Sequence, residues 1–403
     1  MTAGKSGNFR VFELSSLASY LYITTEKLNV MNIRTLVAVS MAWFSIAGGA
    51  HATTYSWPEN PNDTVITEHP DGVAVTQSPE DETLLDVARR FNLGQAEVVR
   101  LNPDLDRWHV KKGEIVSLPN RRILPDSPRK GITLNIAEYR MYYYPPAAPG
   151  MPPVIKSFAH GIGRQDWQTP LGQTKVAKKV KDPSWHPPES IRREHAAMGD
   201  PLPEVVPPGP HNPLGAYALY LALPGDYRIH GTDIDKIFGI GMQITHGCVR
   251  MYPEDIEDLY NNVPVGTPVY IVKQQFKVGW LNNKLYVEAH PDLEGEETSM
   301  EERMARVLPL MEKANNMEMP LYDQQALTEV LTHMDGVPAP VYERFPPLEE
   351  VMPTTASASA PAPAAVPAPA PAAAAPAPVP TGKPSPSGYY RGPQVSKPIP
   401  GSY

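Results

Sequence analysis

The spacing of apolar residues divides this chain into stretches of different period. Leu84, Val87, Ala88 and Phe91 stand at i, i+3, i+4 and i+7, one apolar face of a helix. A second short helix is predicted over 95–101. It ends at Asn102-Pro103, because the residue before a proline disfavours helical backbone. Val73-Ala74-Val75-Thr76 before this pair and 113–119 after it read as strands, so 73–119 is a compact strand–helix–helix–strand unit. From Gly131 the texture turns to strands: 132–136 and 139–144 around Ala137-Glu138, then 154–161, 173–181, 216–223, 227–231 and 269–272. A segment rich in proline and histidine, 185–213, interrupts them as a long ordered loop or lid. One helix is expected from Pro253 to about Asn261, with proline in its first turn and acids close behind, which suits the positive helix end. Many strands and one or two helices make 131–273 a mostly β domain within an α+β chain.

Two further patterns follow. Residues 276–281 and 284–290 bracket Asn282-Asn283, a hairpin signal, and Ser299 with Glu302 is a capping box that predicts a helix to about Asn315. A second helix is expected from Asp323 to His333, stopped near Gly336. The pattern leaves open whether these helices pack on the β domain or cap a partner site. From Met352 the chain becomes Pro/Ala/Ser repeats and then a Gly/Pro/Ser/Tyr tail, a composition that buries no core and predicts an extended, disordered arm.

At the other end, Met31-Asn32-Ile33-Arg34 opens a basic stretch, 36–47 is an apolar run shorter than a bilayer span, and Ala50-His51-Ala52 is a small-x-small cleavage pattern. Residues 31–52 therefore read as a secretory signal peptide cut before Thr53, with an uncleaved anchor as the alternative. The organisation expected is an upstream extension or mis-assigned start (1–30), the signal peptide (31–52), a polar linker (53–72), the small unit (73–119), the β domain (123–273), a hairpin-and-helix extension (274–345) and the Pro/Ala-rich tail (346–403).

Composition narrows the chemistry. A net charge of −8 and a pI near 5.8 argue against sequence-independent nucleic-acid binding. Cys248 is the only cysteine among 403 residues, so it forms no internal disulfide, and a free thiol in an exported chain needs a reason to exist. It lies in Thr245-His246-Gly247-Cys248-Val249-Arg250, and fourteen residues lie between His230, of the pair His230-Gly231, and Thr245. A thiol attacks a carbonyl only as a thiolate, so it needs a base or a cation beside it. His230 is the candidate base, with the Gly231 carbonyl to hold its other ring nitrogen; His246 is the alternative base. Gly247 permits a sharp turn whose N–H groups can face an oxyanion, and Arg250 offers a fork for a carboxylate or else a surface ion pair. A zinc site on His186, His195 or His211 lacks the paired-ligand spacing such sites show, and no cofactor is implied.

With these residues the chain resembles the L,D-transpeptidases, which carry the YkuD-type catalytic domain. Their signature is a His, a spacer, then [Ser/Thr]-His-Gly-Cys-aliphatic-[Arg/Asn], filled here by His230, Thr245, His246, Gly247, Cys248, Val249 and Arg250. Thr169-Pro170-Leu171-Gly172, Ile229-His230-Gly231-Thr232 and Asn212-Pro213-Leu214-Gly215 also match. The unit 73–119 resembles a LysM domain at Thr83-Leu84, Ala88-Arg89-Arg90-Phe91, Leu101-Asn102-Pro103 and Gly113, but Asp81-Glu82 stands where that family has Gly-Asp. Glycan binder and spacer are both open for it. Among L,D-transpeptidases, the periplasmic Gram-negative enzymes with an N-terminal LysM module are most similar.

The resemblance implies a β-sandwich-like catalytic domain, a thioester mechanism and peptidoglycan as substrate. Cys248 would attack the meso-diaminopimelate–D-alanine bond of a tetrapeptide stem. His230 would serve as base and acid, and Gly231 as its orienting carbonyl. His246, Gly247, Thr245, Arg250 and, more weakly, Tyr217 would form the oxyanion and substrate wall. The acceptor would be the amine of another stem, an amine of an outer-membrane protein or lipoprotein, or water. A non-catalytic wall-binding scaffold is the rival from another class.

Overall fold

The computed structural model describes residues 52–69 and 73–344; the signal-peptide and tail expectations lie outside them. One continuous sheet carries the β domain. Its nine strands run in the order Thr53–Ser56, Val154–Ala159, Arg140–Tyr144, Gly131–Asn135, Pro268–Val272, Gly172–Lys181, Tyr217–Leu221, Arg228–His230 and Val249–Arg250. Only the Pro268–Val272/Gly131–Asn135 and Arg228–His230/Val249–Arg250 pairs are parallel. Ile132, Met141 and Phe158 from one end of the sheet and Leu219, Ile229 and Val249 from the other belong to one buried cluster. The sheet therefore curls over a single core, closed by Ile256 and Leu259 of the helix Pro253–Asn262. This is the sandwich-like, mostly β arrangement expected.

The segment read as a linker contributes structure. Thr53–Ser56 is the edge strand of the main sheet, with Tyr55 buried, and Val65–Thr67 pairs with Arg121–Ile123. The local sequence is polar, but the β-branched Thr53 and Thr54 and the aromatic Tyr55 suit a half-buried edge.

The small N-terminal unit has the predicted elements: strands Val73–Gln77 and Ile115–Pro119 pair antiparallel, and helices Leu84–Arg90 and Gln95–Leu101 pack Leu84, Val87, Ala88 and Val98 against them. Thr83 caps the first helix through a reciprocal box with Asp86, a device worth about 1 kcal/mol.

The C-terminal extension builds its own core rather than lying on the β domain. Strands Phe276–Leu281, Lys284–Ala289 and Ala339–Glu343 form a three-stranded sheet. Helices Met300–Ala314 and Gln324–His333 cover it with Val307, Met311, Leu327 and Leu331. The hairpin turns on Asn282 and Asn283, both left-handed at φ 50° and 63°, as a two-residue turn of this hand requires. Ser299 caps the first helix as its capping box predicts.

Candidate active site

The parallel pairing of Arg228–His230 with Val249–Arg250 sets the site. Ile229 lies opposite Val249 and His230 opposite Arg250. Side chains alternate along a strand, so Ile229 and Val249 enter the core while Arg228, His230, Cys248 and Arg250 share the other face. On the neighbouring strand Ala218 lies opposite His230 and Tyr220 opposite Arg228. The catalytic face thus carries Tyr220, Arg228 and Cys248 in one row and Ala218, His230 and Arg250 in the next.

His230 is buried, and its Nδ1 lies 2.6 Å from the Gly231 carbonyl oxygen. That contact requires the proton on Nδ1 in the neutral ring and leaves Nε2 as the basic nitrogen. Burial, and then the charges of Arg250 and Arg228, push the imidazole pKa down to about 3. Cys248 is half-buried; burial pushes its thiol up, against the pull of the Arg228 charge. Both groups are therefore neutral at rest, an arrangement for general-base transfer during attack rather than a standing thiolate–imidazolium pair.

The nucleophile loop is held by two hydroxyls. Thr245 donates to the Cys248 carbonyl at 2.6 Å, and Thr169, from the Thr169-Pro170-Leu171-Gly172 loop, donates to the Gly247 carbonyl at 3.0 Å. A trans peptide puts its N–H opposite its C=O, so pinning the Gly247 carbonyl turns the Cys248 N–H away from Thr169. Gly247 has φ +95°, and a Cβ there would stand 2.8 Å from the Tyr227 ring. Only glycine makes this turn in the space available.

The structure redistributes the predicted residues. Tyr217 does not face the pocket: it is on the core side of its strand with Leu219, and its hydroxyl donates to Glu257 at 2.9 Å. Tyr220 takes the site-facing position, stacked under Arg228 with 4.7 Å from guanidinium to ring centroid. Thr245 is buried and shapes the loop instead of lining a substrate wall. His246 has its Nε2 3.1 Å from Glu194 and its ring edge-on to Trp167, which ties up the nitrogen a base would use. Arg250 is no surface ion-pair residue; it packs against Gly239, where a Cβ would come within 3.0 Å of its Nη1. His195 and His211 pair with Asp200 and Asp235.

Three contributors escaped the sequence reading, Arg228, Tyr220 and Glu194, while Thr169 lies in a loop the sequence marked as matching without giving it a role. Glu194 belongs to a helix, Glu189–Ala197, inside the segment expected to be a loop or lid. It holds Arg164 at 2.7 Å as well as His246, so this segment is latched to the residue two before the thiol. The segment is closed on itself by reciprocal bonds between Trp185 and Val206 and by Asn212, which donates to the Pro183 carbonyl at 2.9 Å.

A thiol, a buried imidazole whose second nitrogen meets a backbone carbonyl, and a glycine turn at the nucleophile are the parts of a thiol acyltransferase. Comparison with known proteins agrees. The L,D-transpeptidase catalytic domain, YkuD, matches residues 129–271. The probable L,D-transpeptidase YbiS of Escherichia coli (strain K12) is 35% identical over 313 residues, 76% of this chain and 98% of that protein. The probable L,D-transpeptidase ErfK/SrfK of the same organism is 41% identical over 191 residues, 47% of this chain and 59% of that protein. The probable L,D-transpeptidase YcfS, also of that organism, is 39% identical over 211 residues, 51% of this chain and 64% of that protein. The chain belongs to the L,D-transpeptidase family, and it is an enzyme of that class.

Proposed function

We propose that this L,D-transpeptidase works in the periplasm on peptidoglycan tetrapeptide stems, with Cys248 as nucleophile and His230 as base. The Cys248 Sγ attacks the carbonyl joining the L-centre of meso-diaminopimelate to D-alanine, and its proton passes to Nε2 of His230. The oxyanion is met by the Cys248 N–H. As the C–N bond breaks, His230 returns the proton to the departing D-alanine amine. An acceptor amine then attacks the thioester, a new C–N bond forms, the C–S bond breaks, and the thiol recovers a proton through His230. Arg250 supplies positive charge for the substrate's carboxylates, while Arg228 is bonded to Asp226. Gly231 orients the base.

The observation that carries this reading is the 2.6 Å contact between His230 and the Gly231 carbonyl, on a strand in parallel register with the one that follows Cys248. Export by a signal peptide over 31–52 and glycan contact by the unit 73–119 complete the proposal. No helix among the described residues is long and apolar enough to cross a membrane. The tethering of an outer-membrane protein or lipoprotein and the cross-linking of third residues are the two acceptor classes we put forward, with hydrolysis as the third outcome. The test is the mass spectrum of muropeptides after incubation with tetrapeptide-rich sacculi. D-alanine release with a Cys248-dependent product supports the enzyme, and the product mass names the acceptor. A Cys248→Ala chain that gives the same products overturns it.

A further inference from the structure

The N-terminal unit meets the β domain through its closed end. Its two helices are joined by Phe91–Gly94, and that turn is pressed into the catalytic domain. A Cβ on Gly94 would stand 2.8 Å from the Cα of Gly241, and one on Gly241, at φ +83°, would stand 2.5 Å from the Cα of Gly94. Main chain thus touches main chain. The Gln95 N–H donates to the Ile240 carbonyl at 3.1 Å, and the Tyr252 hydroxyl donates to the Leu93 carbonyl at 2.9 Å. Arg89 reaches Glu254 with two bonds, at 2.9 and 3.0 Å. Asn92 donates to Asp255 and accepts from the Ala159 N–H at 3.2 Å. Beneath them Glu97 is buried between Arg122 at 2.6 Å and Arg140 at 2.7 Å.

A tethered glycan-binding bead would need none of this. Losing one partner of a buried charge pair costs about 3–5 kcal/mol, so the seam is a fixed joint. What it grips matters more. Gly239-Ile240-Gly241 is the loop against which Arg250 packs, and Tyr252 follows Arg250 by two residues. The unit therefore clasps the chain on both sides of Arg250, and Arg250 lies opposite His230 in the sheet register. Gly239 is small where Arg250 presses, and Gly241 is small where Gly94 presses; a three-residue loop is held between site and module.

We propose that the N-terminal two-helix unit is a positioning element of the active site: by clasping Gly239–Gly241 and Tyr252–Asp255 it fixes Arg250, and through it the pocket face shared by Cys248 and His230. This rests on the assignment of Cys248 and His230 made above. It separates two ends of one module. The turn Phe91–Gly94 sets the catalytic geometry. The opposite end, where Glu82 and Val110 exchange backbone bonds, carries the exposed Trp108.

The experiment uses the full chain and a soluble tetrapeptide donor without glycan, so that no glycan contact enters the rate. Gly94 has φ −74°, which alanine adopts without strain, so Gly94→Ala adds only the contact with Gly241. Displacing catalytic groups by about an ångström costs on the order of 100-fold. We expect kcat for D-alanine release to fall about tenfold or more in Gly94→Ala and further in Gly94→Val, with KM little changed. Active-site titration with a carbapenem normalises each rate to the folded fraction. Arg89→Ala, a change at the seam's surface, gives a smaller loss of the same kind and keeps the test alive should the glycine variants fail to fold. Trp108→Ala, at the opposite end and 61% exposed, leaves kcat on this donor at the wild-type value. Wild-type kcat in both Gly94→Ala and Arg89→Ala, with an inert Cys248→Ala, overturns the positioning role and leaves the catalytic assignment intact. An active Cys248→Ala overturns the assignment itself.

Discussion

Two seams join the β domain to its neighbours, and both are sealed by buried charge. On the N-terminal side a single carboxylate, Glu97, sits between the guanidinium groups of Arg122 and Arg140. On the C-terminal side the Lys277 ammonium, whose side chain is 2% exposed, sits between Glu138 and Glu288, and His290 joins both carboxylates. Glu138, Glu288 and His290 have the spacing of a metal site, but Lys277 fills the position a cation would take. The seams differ in what can titrate. Arginine keeps its charge at every accessible pH, so within the Glu97–Arg122–Arg140 cluster only the carboxylate can fail. The second contains a histidine, and its two negative charges are balanced only when His290 is protonated. The seams also differ in reach: the first touches the loop that packs on Arg250, while the second ties the C-terminal sheet to the hairpin at Glu138.

The difference is sharpest under mutation. Lys277→Met leaves two carboxylates buried beside one imidazole, and we expect a loss of about 3–5 kcal/mol in stability, read as a lower midpoint in denaturant. The rate per folded molecule on the soluble donor should stay at the wild-type value, whereas lesions at Gly94 change the rate. Equal effects on rate from both seams would erase the distinction.

pH separates them next. Burial alone would raise the Glu97 carboxyl, but Arg122 and Arg140 outweigh it and hold the pKa at about 2. A carboxyl held below its unfolded value contributes stability above that value and loses it as pH falls, so this seam weakens between about pH 4.5 and 2, by about 3 kcal/mol in full. His290 moves the other way. Burial opposes its charge, yet the bonds to Glu138 and Glu288 prevail and raise its pKa. Its contribution is complete below the unfolded value of about 6.5 and is lost as pH rises through the raised one. Denaturant midpoints measured from pH 2 to 9 should fall at both ends. Against burial, the Lys277 charge, with His290, also holds the Glu138 carboxyl well below the usual range, so Glu97→Gln should shrink the acid limb without abolishing it, and His290→Gln should remove the alkaline one.

A smaller effect concerns the thiol. Burial raises Cys248 above an ordinary thiol, so its alkylation by iodoacetamide should climb only at alkaline pH, without a plateau near neutrality. An inflection below pH 7 would mean a standing thiolate and would contradict the neutral resting pair.

Much of the frame was legible because its signals are local. The helix faces at Leu84, Val87 and Ala88, the Ser299–Glu302 box and the Asn282-Asn283 turn each act within a few residues, and the His230 and Cys248 motif names its own chemistry. What was missed depends on distant partners. The edge strand Thr53–Ser56 exists because Val154–Ala159 lies beside it, about a hundred positions away. The helix Glu189–Ala197 buries only Ile191, so no apolar period marks it. The choice between Tyr217 and Tyr220 follows from the register that sets Ala218 opposite His230. Glu97 finds Arg122 and Arg140 at separations of 25 and 43 residues, which no spacing rule encodes.

The central claim, that Cys248 carries the acyl group under the hand of His230, is tested most directly by intact-protein mass spectrometry after mixing with the soluble tetrapeptide donor in the absence of an acceptor amine. Wild type should gain the mass of the donor less D-alanine, on Cys248. His230→Ala should gain it far more slowly, and Cys248→Ala not at all. D-alanine release by Cys248→Ala at the wild-type rate, or an adduct on another residue, would contradict it.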